Sequence, residues 1–180
     1  MTARRHPASA EIRAAVAASA VLAIACLLTF WLTTNLLARI YSVSSDDDLL
    51  GGMWAVIATI FVCRDSVQQS TSAALSRMAA TSMSFVLCLA YLLFLPFHTW
   101  ALVLLIGLSA LAATLIGRPG DAATAAITTT VIMVVAAVSP QHAWQQPILR
   151  FIDTVIGVGV GVAAAWLSVR VLRPQGSPNR

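Results

Sequence analysis

The sequence contains very little charge. Only 10% of its 180 residues are Asp, Glu, Lys or Arg, whereas 59% are hydrophobic and the mean hydropathy is +0.85. A soluble domain is about a quarter charged, so this chain lacks the polar residues that a water-facing surface requires. The low charge excludes an ordinary soluble domain and predicts an integral membrane protein, with the lipid bilayer as its solvent.

Lysine is absent altogether, and all eleven basic residues are arginines. In a soluble protein the net charge of +4 would point to nucleic acid as a partner. Here the arginines lie at the ends of apolar runs, which is the distribution that sets membrane topology. We therefore expect no nucleic-acid partner.

Cysteine and histidine are too few for a metal site or a disulfide framework. The three cysteines lie within apolar segments, and the three histidines show no metal-ligand spacing. The sequence also lacks a phosphate-binding loop and a Ser/His/Asp arrangement with a supporting motif. It therefore predicts neither an enzyme nor a cofactor nor a metal. These cysteines and histidines are Cys26, Cys63, Cys88, His6, His98 and His142.

Six apolar runs predict an all-α protein with six transmembrane helices, because one crossing needs about 20 mainly apolar residues and at least about 17. The second run is the shortest and extends toward Val67, and the first is too long for a signal-peptide core. The connections are too short to hold a folded domain, and one of them is Asp65–Arg77. The runs are Ala14–Ala38, Leu49–Arg64, Met78–Leu95, Trp100–Ile116, Ala122–Val138 and Phe151–Val169.

The distribution of arginines predicts that both termini are cytoplasmic. With the N-terminus inside, nine arginines fall on the cytoplasmic side and two, Arg39 and Arg150, fall outside. Aromatic residues are expected to anchor the outer boundary, namely Tyr41, Trp54, Phe97, Trp100 and Trp144. The domain limits follow as a tail over 1–13, a membrane domain over 14–170 and a second tail over 171–180. The nine inner arginines are Arg4, Arg5, Arg13, Arg64, Arg77, Arg118, Arg170, Arg173 and Arg180.

The polar tract that follows the second run has two interpretations. In the first, Arg64 and Asp65 mark the cytoplasmic end of the second helix, and the tract up to Arg77 is a solvated connector. In the second, that helix continues past Arg64. Arg64, Gln68 and Ser72 then share one face at i, i+4 and i+8, and an arginine near lipid must pair or face an aqueous cavity.

Polar residues are sparse in the last two runs. Thr124 and Thr128 are one turn apart and either pack against a neighbouring helix or line a passage. Arg150 and Asp153, at i and i+3, form either a structural ion pair or an anion or proton site. Asp153 and Asp65 are the candidate proton carriers. Gly157 and Gly161 form a small-xxx-small pair that predicts close helix packing.

Two stretches resemble the fusaric acid resistance / aromatic acid exporter superfamily. In MWAVIATIFVCRDSVQQSTSAALSRMAAT, Trp54, Ser70–Ser72, Arg77 and Thr81 match the family's positions. Ala80 departs from the pattern, because the family usually has glycine there. In RFIDTVIGVGVGVAAAW, the matching residues are Arg150, Asp153 and Gly157. The likeness covers most of the chain, and plant malate channels look distantly related.

The resemblance implies a multi-pass protein of the bacterial inner membrane that exports organic anions such as aromatic carboxylates. Arg64 and Arg77 are the expected carboxylate-binding cations near the cytoplasmic entrance, with Arg150 as a second, outer site. Larger relatives look like two six-helix units in one chain, so this shorter chain is expected to form a homo-oligomer, with a dimer favoured. The expected partners are a small organic anion and lipid, and a periplasmic adaptor subunit is a further candidate partner.

Two other functions stay open. A passive anion channel would use the same residues, and sequence does not separate it from an exporter. A non-transporting membrane subunit would have the arginines of the Arg64–Arg77 region sealed by other helices or by lipid headgroups.

The arginine asymmetry predicts the sidedness of the chain directly. A reporter that works only in the cytoplasm should be active when it is fused after Arg180. A reporter that works only outside the cytoplasm should be active when it is inserted between Ser139 and Arg150. Activity of both fusions on the same side would contradict the six-span topology.

Overall fold

The computed structural model describes residues 9–37, 45–64, 66–140 and 143–172, and their regular structure is helical throughout. It forms six α-helices, a π-helical turn over Leu32–Leu37 that extends the first helix, and a short 3-10 turn over Pro119–Asp121. The α-helices are α1 (Ser9–Trp31), α2 (Ser45–Val62), α3 (Val67–Phe94), α4 (Thr99–Leu115), α5 (Ala122–Val138) and α6 (Gln145–Leu172).

The helices correspond in order to the six predicted runs, and four of the spans they form are long and apolar enough to cross a membrane. Of the other two, α4 is a shorter apolar helix of 17 residues, and α2 carries Asp46, Asp47 and Asp48 in its first turn. Six crossings and cytoplasmic termini stay predictions. The four spans are Ala15–Asn35, Val67–Phe94, Pro119–Val138 and Gln145–Arg170.

The connector predicted over Asp65–Arg77 is wrong, because α3 begins at Val67. Ser66 caps this helix by accepting a hydrogen bond from the backbone N–H of Gln69 at 3.2 Å. Ser70 closes the preceding turn, since its hydroxyl donates to the carbonyl of Val62 at 2.7 Å. The hydroxyls of this tract thus satisfy backbone groups that helix ends leave without partners.

Local chemistry also explains other helix limits. The three aspartates at 46–48 place negative charge at the positive end of α2, which favours a start at Ser45 and not at the predicted Leu49. Leu95 ends α3 in an extended conformation before Pro96. Gly117 follows α4 with a φ of 78°, a left-handed conformation that glycine adopts without strain.

The bundle is organised around α6, which packs most extensively against α2 and α3. The α4–α5 pair packs against α3, and α1 lies at the periphery against α2 and α6. Large hydrophobic side chains are exposed along the helices, whereas many threonines and serines and several charged groups are buried. This distribution is the one expected for helices surrounded by lipid, where polar groups find their partners inside the bundle.

Two of the glycines on α6 permit its close approach to α2. A Cβ atom added at Gly157 would lie 2.1 Å from the carbonyl oxygen of Ala55, and one at Gly161 would lie 3.0 Å from the carbonyl oxygen of Thr59. The predicted small-xxx-small packing is therefore present, and it is made within the chain's own bundle. Gly159 faces the other way, and an added Cβ there meets nothing within 4 Å.

We expect Gly157→Ala to destabilise the protein strongly, because the new methyl group would overlap the α2 backbone and force the helices apart. Overpacking of this kind costs about 1–3 kcal/mol or more. Gly159→Ala is the matched control and should be neutral or slightly stabilising, since alanine favours helix over glycine. Thermal unfolding of both variants in detergent measures the difference, and equal midpoints would contradict the packing described here.

Candidate functional site

Arg77 lies inside the helix bundle. It stands ten residues after the start of α3 at Val67, which is about 15 Å along the helix axis. Its side chain is buried, with a residue exposure of 3%. The interpretation of Arg77 as the end of an inner-face connector is therefore wrong.

Two aromatic rings of α2 hold the Arg77 guanidinium. Its central carbon lies 4.9 Å from the centroid of the Trp54 ring and 5.1 Å from that of Phe61. The two rings are seven residues apart and thus on one face of α2. A cation placed over aromatic faces gains electrostatic attraction, and more when water is excluded.

The guanidinium of Arg77 nonetheless keeps unused donors. Its Nε and Nη2 atoms are buried and have no hydrogen-bond partner among the described residues. These two nitrogens form one edge of the planar group, and such an edge holds a carboxylate through two parallel hydrogen bonds. Because buried donors are otherwise nearly always paired, this edge is the strongest candidate anion site in the part of the chain that the structure describes.

Trp54 is predicted as an anchor at the outer membrane boundary, and this is wrong because its exposure is 3%. Its indole N–H donates to the hydroxyl of Thr154 on α6 at 3.0 Å. That hydroxyl in turn donates to the backbone carbonyl of Arg150 at 2.8 Å. Trp54 therefore connects the surroundings of Arg77 to α6.

A second cluster of buried charges lies where α2 and α6 begin. Nη2 of Arg150 lies 3.4 Å from Oδ2 of Asp153, as predicted from the spacing, and 3.4 Å from the carbonyl oxygen of Asp47. Gln146 donates to Oδ1 of Asp47 at 3.1 Å. Oδ2 of Asp153 lacks hydrogen-bond geometry to any described residue, so Arg150 and Asp153 meet as a loose ion pair. A Cβ atom at Gly51 would lie 3.0 Å from both oxygens of Asp153.

The structure does not bring Arg64, Gln68 and Ser72 onto one helix. Because α2 ends at Val62, the hypothesis that it continues past Arg64 is wrong. Arg64 is exposed in the turn between α2 and α3, and Gln68 and Ser72 are exposed on α3. Asp65 lies outside the described residues.

The threonines of α5 take part in helix contacts. Thr128 is buried and donates to the carbonyl of Thr124 at 2.8 Å. Thr129 donates to the hydroxyl of Ser84 on α3 at 3.1 Å, and Ser84 donates to the carbonyl of Ala125 at 2.9 Å. The bonds of Thr129 and Ser84 tie α3 to α5, whereas the Thr128 hydroxyl bonds within α5.

Sequence reasoning missed several residues of these clusters. Asp47 and Gln146 come together from positions almost a hundred residues apart, which no local pattern indicates. Phe61 looks like one more apolar residue of α2. The start of α3 did carry a signal: Ser66 and Gln69 have the S-x-x-Q spacing of a capping box.

The family of the chain follows from a match to a family model. The model described as fusaric acid resistance protein-like matches residues 24–164, well over half of the chain and across all six helices. No curated protein and no solved structure matches the chain. The match agrees with the helical, lipid-exposed architecture and indicates a multi-pass membrane protein related to transport. The chain thus belongs to the fusaric acid resistance protein-like family.

Proposed function

We propose that the protein transports organic anions, aromatic carboxylates among them, across the bacterial inner membrane in the direction of export, and that Arg77 binds the carboxylate. Family membership supports transport. The single observation that supports Arg77 is its unpartnered Nε–Nη2 edge, held by Trp54 and Phe61 inside the bundle.

Burial of Arg77 also bears on the two rival functions. In a non-transporting subunit the arginine would be shielded from water, as it is here. A purely structural arginine, however, would be expected to donate its buried N–H groups to protein acceptors. An open anion channel would have a wet arginine in its path. A buried guanidinium with free donors instead fits a binding site that closes around its anion and must open to exchange it.

The remaining charged groups fit subsidiary roles in this proposal. Arg64, exposed near the start of α3, attracts anions toward the entrance. Arg150 provides a second site, because its Nε is buried and unpartnered among the described residues. Asp153 beside it, and Asp65, are the groups available for proton coupling. Gln68, Ser72, Thr124 and Thr128 line the path only if the helices move apart.

We expect Arg77→Ala to lower carboxylate flux at least tenfold without loss of protein from the membrane, because two charge-assisted hydrogen bonds disappear. Arg77→Lys should restore little of the flux, since a lysine does not reproduce the two parallel N–H donors of the guanidinium edge. The measurement is uptake of isophthalate into proteoliposomes, because its two negative charges prevent it from crossing lipid unaided.

Two further variants complete this experiment. Arg118→Ala is the matched control, because Arg118 is an exposed arginine paired with Asp121 at 3.4 Å, and its flux should stay at the wild-type level. Arg64→Ala should reduce flux only at low salt, since the attraction of an exposed charge is screened. Wild-type flux in the Arg77 variants would show that Arg77 does not bind the anion.

We also propose that the functional unit is a homo-oligomer, with a dimer favoured. A single bundle of six helices of barely spanning length is expected to leave little room for an aromatic anion, and two-fold pairs are the commonest closed assemblies. Since Gly157 and Gly161 pack on α2, the contact with a partner is made by another surface. The mass of the protein in nanodiscs should correspond to two chains or more, and a monomer that transports isophthalate would contradict the proposal.

A further inference from the structure

Thr81 differs from the other buried threonines of the described helices, because its hydroxyl has no hydrogen-bond partner among the described residues. Nine threonines of the described helical segments donate their hydroxyl to the carbonyl four residues earlier. Thr81 is fully buried at 0% exposure, yet its Oγ1 has no partner among the described residues. Its hydroxyl thus forgoes the bond to its own backbone that a threonine ordinarily makes.

The position of Thr81 relates this hydroxyl to Arg77. The two residues are four apart on α3, so they lie on the same face with Cβ atoms about 5–6 Å apart. Both side chains are more than nine-tenths buried. Three polar atoms without partners therefore share one face of a helix: Nε and Nη2 of Arg77 and Oγ1 of Thr81.

All three atoms can donate a hydrogen bond, and an ionised carboxylate only accepts. Its two oxygens offer about four lone-pair directions, so two of them can take the guanidinium edge while a third takes the hydroxyl. A neutral amide has a single acceptor oxygen, and chloride is a single centre. Neither matches two parallel donors and a third from the side.

We infer that Thr81 is the second recognition residue of the Arg77 site, and that its hydroxyl donates to a substrate carboxylate already held by the guanidinium. The inference rests on the proposed function and adds a specificity: the site favours ionised carboxylates over neutral amides and over chloride. Arg77 supplies the positive charge and two parallel N–H donors, and Thr81 fixes the orientation of the carboxylate that these donors hold.

The test substitutes the hydroxyl with little change of shape. Thr81→Val should raise the half-saturation concentration of isophthalate uptake roughly tenfold or more, as expected for the loss of one hydrogen bond to a charged group. Thr81→Ser keeps the hydroxyl and should remain within about threefold of wild type. Thr33→Val is the matched control, because the buried Thr33 hydroxyl donates to the carbonyl of Thr29 within its own helical segment, and its half-saturation should not change.

Binding is measured separately from transport by the rise in unfolding temperature that isophthalate causes. Wild type and Thr33→Val should show the full rise, and Thr81→Val a smaller one. If Thr81→Val is not recovered folded, Thr81→Ala replaces it with the same expectation. Wild-type half-saturation and a full rise in the variant that lacks the hydroxyl would overturn the inference.

Competition tests the ligand class. Benzoate should inhibit isophthalate uptake, whereas benzamide and chloride at the same concentration should not, and equal inhibition by all three would overturn the specificity. Loss of flux in Arg77→Ala with no change in Thr81→Val would refute the role of Thr81 and leave the proposed function standing. An absence of isophthalate flux in the wild type would instead refute the proposed function.

Discussion

The close approach of α2 and α6 determines much of the structure. Because Gly157 and Gly161 lack side chains, the α6 backbone reaches the carbonyl oxygens of α2. The hydroxyl of Thr59 donates to the carbonyl of Gly157 at 3.0 Å, so the two helices are joined by a polar contact as well as by packing. In lipid, where apolar surface drives helices together only weakly, close backbone contact and hydrogen bonds between helices replace that drive.

Other contacts depend on the same crossing. Trp54 reaches Thr154, and Asp47 reaches both Gln146 and Arg150, only because α2 and α6 lie side by side. Trp54 in turn provides one of the two rings that hold Arg77 of α3. A chain of contacts thus runs from a pair of glycines to the orientation of a buried guanidinium, and a shift of α6 would disturb the proposed anion site without touching it.

The helical fold could be predicted from the sequence because it depends on hydropathy, which is a local property. The number and order of the helices and the Arg150–Asp153 pair followed from length and spacing in the same way. The position of Arg77 inside a helix could not be predicted, since a polar tract containing Ser66 and Ser70 is equally typical of a loop and of the capped start of a helix. Buried Trp54 bonds to Thr154, one hundred residues later in the chain, and interactions of that range leave no periodic signal.

Burial of Arg77 and Arg150 changes the number of arginines counted on each predicted side of the membrane, but it does not reverse the bias. Arg77 and Arg150 are buried side chains of long helices, so neither belongs in a count of residues in loops. Removing both from the predicted sides takes the inner count from nine to eight and the outer count from two to one. The bias toward the cytoplasmic side is kept, because it rests on residues at the ends of the runs.

Satisfied and unsatisfied polar groups divide the bundle into two kinds of contact. Thr29 and Thr59, or Ser84 and Thr129, bond to each other across helices and also to backbone carbonyls. Such contacts hold helices together and leave nothing for a ligand. On α3, by contrast, Nε and Nη2 of Arg77 and Oγ1 of Thr81 are buried without a hydrogen-bond partner in the part of the chain that the structure describes. Leaving such donors without partners costs stability. This cost, incurred at two positions one turn apart on the same helix face, is the physical reason for proposing an anion site there.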